Sequence, residues 1–212
     1  MGAFRDGDLL RLVRNHERGY GTPFAPPRAT YDPLASGGTT TLVFDPVGGR
    51  LIEDYASSSG TVRNCAGGPT PAGPGSAARR RPWSTRQPPR LRLRGPDSRT
   101  CRRVPLRAMG RFSHEATATH PATGIVYETE DAGHSALYRY VPIDPTNLAA
   151  GGVLEAMKLE GTTDTVAWTM GTSAAAEWVV VEKPRPGGSP DGSADPGTRG
   201  PPTRGGERWP GL

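Results

Sequence analysis

The first part of the chain alternates short apolar stretches with turn residues, a pattern typical of β-structure. Thr39–Asp45 is β-branched and aromatic, the turn signal Pro46–Gly49 follows it, and Arg50–Tyr55 is a second apolar stretch. Two short strands around a glycine-rich turn predict a β-hairpin. Leu9–Val13 is a further short apolar stretch, which fits either a strand or a turn of helix.

A second set of short strand candidates lies between residues 100 and 183. The candidates are Val104–Met109, His114–Thr119, Gly124–Glu130, Ala136–Val141, Val153–Leu159, Thr165–Met170 and Trp178–Val181. Short strands at nearly regular spacing indicate an antiparallel sandwich, barrel or propeller. Because no repeat motif fixes the period, the pattern alone predicts an all-β fold and leaves these three architectures open.

Two segments have a composition that does not build a hydrophobic core. Residues 72–99 contain five prolines and no apolar periodicity, which argues against a sustained helix or an inner strand. Residues 184–212 hold seven prolines and eight glycines. We predict disorder for both segments. The chain then divides into first strands and a polar loop at 1–71, a disordered segment at 72–99, further strands at 100–183 and a disordered tail at 184–212.

The positive charge of the chain is concentrated in one segment. The formal net charge is +5, yet ten arginines and a single acid, Asp97, lie between Ala77 and Arg103, so the remainder is mildly acidic. A basic segment of this kind can bind the phosphates of RNA or DNA through counterion release. Since no folded nucleic-acid-binding module accompanies it, we expect no specific nucleic-acid partner.

The sequence also bears on location and on thiol chemistry. It contains no apolar run long enough for a membrane-spanning helix, and its first residues lack the apolar region of a signal peptide. As written, the chain is therefore expected in the cytoplasm and off the membrane. Cys65 and Cys101 match no CxxC metal motif and do not make a disulfide framework.

Four polar clusters could carry chemistry: Asn15–Glu17, Arg63–Thr70, Phe112–Glu115 and Glu128–His134. Each has an ordinary explanation, because paired glycines supply positive φ in turns, a lone cysteine is often a small buried side chain, and acids at strand ends are commonly solvated. Carboxylates from separate strand ends can also converge on a hard cation, and a thiolate suits a softer metal. The residues alone leave both interpretations open.

Several strings in these regions resemble, in order, successive segments of PhoX-type alkaline phosphatases. The strings are LVRNHE, GGTTTLVFDP, GTVRNCAGGPTP, LRAMGRFSHEA, PATGIVYETEDAGHSALYRYVP and LAAGG, and they cover most of residues 8–71 and 100 to about 160. The resemblance implies a β-propeller, export to the periplasm or medium, and release of phosphate from phosphomonoesters by a cluster of calcium and iron ions. We expect a monomer with a phosphomonoester substrate.

The resemblance also assigns roles to individual residues. The NCAGG string places Cys65 at the family's iron-binding cysteine, and the FSHE string makes Glu115 a metal-bridging carboxylate, so these two are the catalytic candidates. The TEDAG string makes Glu130 or Asp131 a calcium ligand, without choosing between them. The implied chemistry is metal-ion catalysis, in which cations neutralise the phosphoryl oxygens. A family motif with no assigned role matches Asn15, His16 and Glu17.

The resemblance breaks after Pro71. There the family continues with a tryptophan-containing strand and a Cys-Glu-Glu type string that supplies a metal ligand, whereas this chain has the arginine- and proline-rich segment. The gap looks like out-of-frame translation, and we hypothesise two compensating frame errors that bracket residues 72–98 and a third after Lys183. We therefore expect an inactive fragment with about half a propeller. The alternative is a non-catalytic partial propeller whose basic segment binds nucleic acid or another anionic partner.

Overall fold

The structure is a computed structural model that describes residues 1–27, 30–70, 73–77, 91–92 and 106–182. In these residues the fold is all-β, as predicted, with two antiparallel sheets and a shorter third one. The helical structure in the described ranges consists of 3-10 turns, among them Arg107–Met109 and Leu148–Ala150. No helix within those ranges is long and apolar enough to cross a bilayer.

The first sheet is an antiparallel meander in which each strand pairs with the next along the chain. Its strands are β1 (Gly2–Asp6), β2 (Leu9–His16), β3 (Gly37–Asp45) and β4 (Arg50–Thr61). The predicted hairpin is confirmed, with Asp45 opposite Arg50 at the turn. The Asp45 carboxylate closes that turn by accepting hydrogen bonds from the backbone N–H groups of Val47 and Gly48. The stretch Leu9–Val13 is a strand and not a helical turn.

The third sheet follows the first directly and is small. It contains β5 (Gly68–Thr70), β6 (Gly73–Ala77) and β7 (Leu91–Arg92), with β6 in the middle. The expectation that residues 72–99 exclude an inner strand is therefore wrong for β6. The reason is register: the two described residues of β7 pair with Ser76 and Ala77, so Pro74 lies before the stretch of β6 that has a described neighbour on both sides. The rest of the predicted disordered segment, and the predicted tail 184–212, lie outside the described residues.

The second large sheet contains five of the seven strands predicted after residue 100. Its strands are β8 (His114–Thr119), β9 (Val126–Glu130), β10 (Leu137–Pro142), β11 (Gly152–Leu159) and β12 (Ala176–Val180), each paired antiparallel with the next. One face of this sheet carries the hydrophobic core. The buried members of that core are Leu106, Met109, Val126, Tyr138, Tyr140, Leu148, Leu154 and Ala156.

Two predicted strands in this region are wrong in the residues described. The described end of Val104–Met109 is a 3-10 turn, in which the Met109 N–H donates to the Leu106 carbonyl and both side chains enter the core at a spacing of three. Thr165–Met170 forms turns, because the Asp164 carboxylate captures the Val166 N–H at 2.8 Å and competes with strand pairing.

Candidate functional site

The loop between β4 and β5, residues 62–67, leads from the first sheet into the small sheet and contacts β8 of the second large sheet; we call it the Cys65 loop. At its far end the Gly67 N–H donates to the Glu115 carbonyl at 3.0 Å, and the Thr117 N–H donates to the Gly67 carbonyl at 3.1 Å. These two bonds make a parallel bridge between the loop and β8. Two sequence-predicted residues, Cys65 and Glu115, are therefore carried by backbone segments that are hydrogen-bonded to each other.

The paired glycines after Cys65 make this approach possible. Gly67 has φ +67°, in the left-handed region that favours glycine, so the ordinary explanation offered for the two glycines holds for this one. Gly68 is needed for space, because a Cβ at this position would lie 1.8 Å from the Thr117 carbonyl oxygen. The loop can contact β8 this closely only without a side chain at residue 68.

The near end of the Cys65 loop is attached to the first sheet. The Asn15 amide, close to the end of β2, donates to the carbonyl oxygens of both Cys65 and Ala66, the second at 2.9 Å. The Arg63 N–H donates to the Arg18 carbonyl at 2.6 Å. The Asn15 cluster, whose role the sequence left unassigned, is thus in direct contact with the loop that carries the predicted iron ligand.

The calcium-ligand candidates lie beside the start of β8. Glu130 is paired with His114 across β8 and β9, and the Asp131 N–H donates to the Ser113 carbonyl at 2.8 Å. A path of hydrogen bonds therefore starts at the Asn15 side chain and continues through backbone groups of the Cys65 loop and β8 to the end of β9. All four polar clusters singled out in the sequence lie along this path.

The individual environments of the predicted ligands differ. Cys65 is 5% exposed, with its Sγ 3.3 Å from the Arg63 carbonyl oxygen, whereas Glu115 and Asp131 are partly exposed. Glu130 accepts a hydrogen bond from the Tyr138 hydroxyl at 3.1 Å. Burial raises the pKa of the Glu130 carboxyl, and the Tyr138 hydrogen bond opposes that rise only in part.

The other two residues of the first cluster, His16 and Glu17, differ in their surroundings. The His16 Nε2 lies 2.9 Å from the Thr40 Oγ1, and its ring is tilted against Phe24 at 5.0 Å. Partial burial lowers the pKa of His16, and the positive charges of Arg14 and Arg18 add to the effect. Glu17 is exposed.

The family metals implied by the sequence can be tested against this arrangement. One thiolate and several carboxylates are suitable ligands for iron and calcium. Across residues 1–27, 30–70 and 106–182, however, no three histidine, cysteine or acidic side chains are grouped closely enough to hold a metal ion. The described residues therefore include the ligand types that iron and calcium prefer, but no group of three such ligands. We derive no catalytic step through a metal.

A buried pair under β8 and β9 is the feature that sequence reasoning missed. The Nδ1 of His114 lies 3.2 Å from the Oε2 of Glu128, and both side chains are fully buried. The signal was available in the strand Val126–Glu130, since alternation places Glu128 on the same face as the buried Val126. His114 immediately precedes Glu115, so the pair fixes the start of the strand that meets the Cys65 loop.

Comparison with known protein families gives a match to the part of the chain that contains β8 to β12. The family model described as Alkaline phosphatase PhoX matches residues 95–200, half of the 212 residues. The chain belongs to the PhoX family of alkaline phosphatases. No curated protein and no solved structure matched the chain. The matched range of this PhoX chain contains Glu115, Glu130 and Asp131, whereas Asn15 and Cys65 precede it.

Proposed function

We propose that this PhoX-family chain contributes part of a metal-dependent phosphomonoesterase site, held on a partial β-propeller. The observation that carries the proposal is the junction between the sheets, where the Cys65 loop pairs with β8 next to Glu115. The four-stranded antiparallel meander β1–β4 is the form that a propeller blade takes.

The proposed ligands are those implied by the family motifs. Cys65 binds iron, Glu115 bridges metals, and Glu130 or Asp131 binds calcium. Support comes from their ligand chemistry and from the backbone path that joins the segments carrying them. The substrate is a phosphomonoester, because that is the substrate class of the family.

We further infer that this chain alone turns over little or no phosphomonoester. Phosphoryl transfer depends mainly on placement and electrostatic stabilisation, so an incomplete set of cations loses most of the rate. The described residues hold no group of three ligands, and residues 72–99 stand where the family has an acidic metal-binding string.

Cobalt(II) binding to the full chain tests the assignment of Cys65. A thiolate bound to cobalt gives a charge-transfer absorption in the near ultraviolet that carboxylates do not give. The matched pair is Cys101→Ser, which retains Cys65, and Cys65→Ser, which retains the other thiol. We expect the band in the parent chain and in Cys101→Ser, no band in Cys65→Ser, and weaker cobalt affinity in Glu115→Gln.

Two results would contradict the assignment. The first is the absence of a band from both the parent chain and Cys101→Ser. The second is a band that survives in Cys65→Ser, because the metal would then be bound by the other thiol.

A further inference from the structure

We infer that Asn15 is a positioning residue that holds the Cys65 loop against the first sheet and so fixes the place of Cys65. The inference rests on the proposed function only in giving Cys65 a metal to bind. Its basis is a contact across 50 residues of sequence, in which one amide donates to two consecutive carbonyls, those of Cys65 and Ala66.

The Asn15 contact lies at the centre of the loop, between two other attachments. On one side the Arg63 N–H donates to the Arg18 carbonyl, and on the other the Gly67 N–H donates to the Glu115 carbonyl. Arg63 itself has φ +48°, a left-handed conformation that costs a non-glycine residue about 1 kcal/mol or more. A loop that contains such a residue needs hydrogen bonds to hold it, and Asn15 supplies two.

The residue type matches this role. A side-chain amide has two N–H donors, which is what two neighbouring carbonyl acceptors require. Aspartate has the same shape but would place carboxylate oxygens against carbonyl oxygens, so Asn15→Asp removes the attachment without changing the size of the side chain. Arg14, the preceding residue of β2, donates to the Thr40 Oγ1 at 3.3 Å, which makes it a matched control on the same strand.

The thiol of Cys65 provides a readout that needs neither metal nor enzymatic activity. Cys65 is 5% exposed, so alkylation of its thiol requires the loop to open. The experiment uses metal-free full chain carrying Cys101→Ser, with iodoacetamide as the probe under native conditions. The rate of alkylation is compared for the Cys101→Ser parent and for Asn15→Ala, Asn15→Asp and Arg14→Ala made in it, with the urea midpoint of each.

We expect Asn15→Ala and Asn15→Asp to be alkylated roughly ten- to thirtyfold faster than the parent, since two hydrogen bonds that hold the loop closed are lost. Arg14→Ala should stay within about twofold of the parent, because it leaves both bonds in place. The inference is overturned if Asn15→Asp is alkylated as slowly as the parent. It is also overturned if Arg14→Ala accelerates alkylation to the same extent.

Amide hydrogen exchange separates a positioning role from a general loss of stability. In Asn15→Asp, faster exchange should be confined to the backbone amides of the Cys65 loop. The backbone amide of Tyr140, in the core of the second large sheet, should exchange as in the parent. Faster exchange at both places would overturn the inference. The cobalt charge-transfer band tests the proposed function separately. If the band is present but the Asn15 variants are alkylated as slowly as the parent, only this inference is overturned. If the Asn15 variants are alkylated faster but no band forms, only the metal assignment is overturned.

Discussion

At the scale of single residues, the paired glycines show how much of the junction depends on missing side chains. Gly67 adopts a positive φ, and Gly68 leaves room for the Thr117 carbonyl. A turn signal in the sequence anticipates the first requirement. The second depends on β8, which is distant in sequence, so no local pattern could have predicted it.

The variant Gly68→Ala tests this close approach. A Cβ would lie 1.8 Å from a backbone oxygen, so the loop or β8 must move, and we expect a loss of about 2 kcal/mol or more in the free energy of unfolding in urea. The control is Gly133→Ala, where a Cβ meets no atom within 4 Å and the change should stay within about 0.5 kcal/mol. Equal stabilities for the two variants would contradict the close contact between the Cys65 loop and β8.

Tyr140 makes the stability of the folded protein depend on pH in alkaline solution. Its side chain is fully buried, its hydroxyl donates to the Leu148 carbonyl at 3.1 Å, and burial, with a contribution from the Glu128 carboxylate, raises its pKa to about 12. The folded state favours the protonated phenol, so the raised pKa adds to the free energy of unfolding. This contribution is complete below the unfolded pKa of about 10 and is lost as the pH rises towards 12.

Tyr140→Phe should therefore flatten the fall in stability between about pH 10 and pH 12, measured as urea midpoints across that range. At neutral pH the variant should lose about 1 kcal/mol, because the hydrogen bond to the Leu148 carbonyl is gone. An unchanged alkaline slope would show that the Tyr140 hydroxyl is not buried in the folded state.

At the scale of elements, β8 and β9 are joined by a polar contact as well as by their backbone pairing. The His114–Glu128 contact lies under the start of β8, just before Glu115 and the segment that meets the Cys65 loop. Two polar side chains buried together are costly to separate, because removing one leaves the other without that contact. We expect this pair to hold the register on which the position of Glu115 depends.

Glu128→Ala should reduce the free energy of unfolding by about 3 kcal/mol or more, since it leaves His114 buried without the carboxylate and opens a cavity. Glu177→Ala is the matched control, because Glu177 pairs with Lys158 at the exposed surface and its removal should cost less than about 1 kcal/mol. Denaturation in urea measures both variants. A loss for Glu128→Ala no larger than for the control would contradict the importance of the pair.

Much of the strand pattern could be predicted from the sequence. The hairpin β3–β4 and the strands β8 to β12 follow from β-branched and aromatic runs bounded by turn residues. The errors have local causes: Thr165–Met170 has the composition of a strand, but the Asp164 side chain competes for its backbone. Pairing at Ser76 and Ala77 was missed because composition says nothing about where a neighbouring strand ends.

Less of the candidate site could be predicted. The motifs named Cys65, Glu115, Glu130 and Asp131, but they could not show that a loop from the first sheet pairs with β8 of the second. The role of Asn15 could not be predicted either, because its acceptors are two backbone carbonyls. Every residue has a backbone carbonyl, so the sequence does not mark which ones accept. Contacts between backbone groups distant in sequence are what the chain pattern leaves undetermined.

At the scale of the whole molecule, the Cys65 loop, which leaves the first sheet, is bridged to β8 of the second large sheet beside Glu115. The PhoX family match begins at residue 95 and so includes β8 to β12, but not the first sheet or the Cys65 loop. The junction between loop and β8 is the observation that relates the two parts of the chain. The proposed function places a shared, incomplete site at this junction.

The most direct test of this account is the phosphatase turnover of the purified full chain in the presence of calcium and iron, with bound metal measured on the same samples. The account predicts turnover at the level of the buffer blank and metal bound below one equivalent for each of the two metals. Robust hydrolysis of a phosphomonoester with stoichiometric calcium and iron would contradict it, because this chain would then hold a complete site.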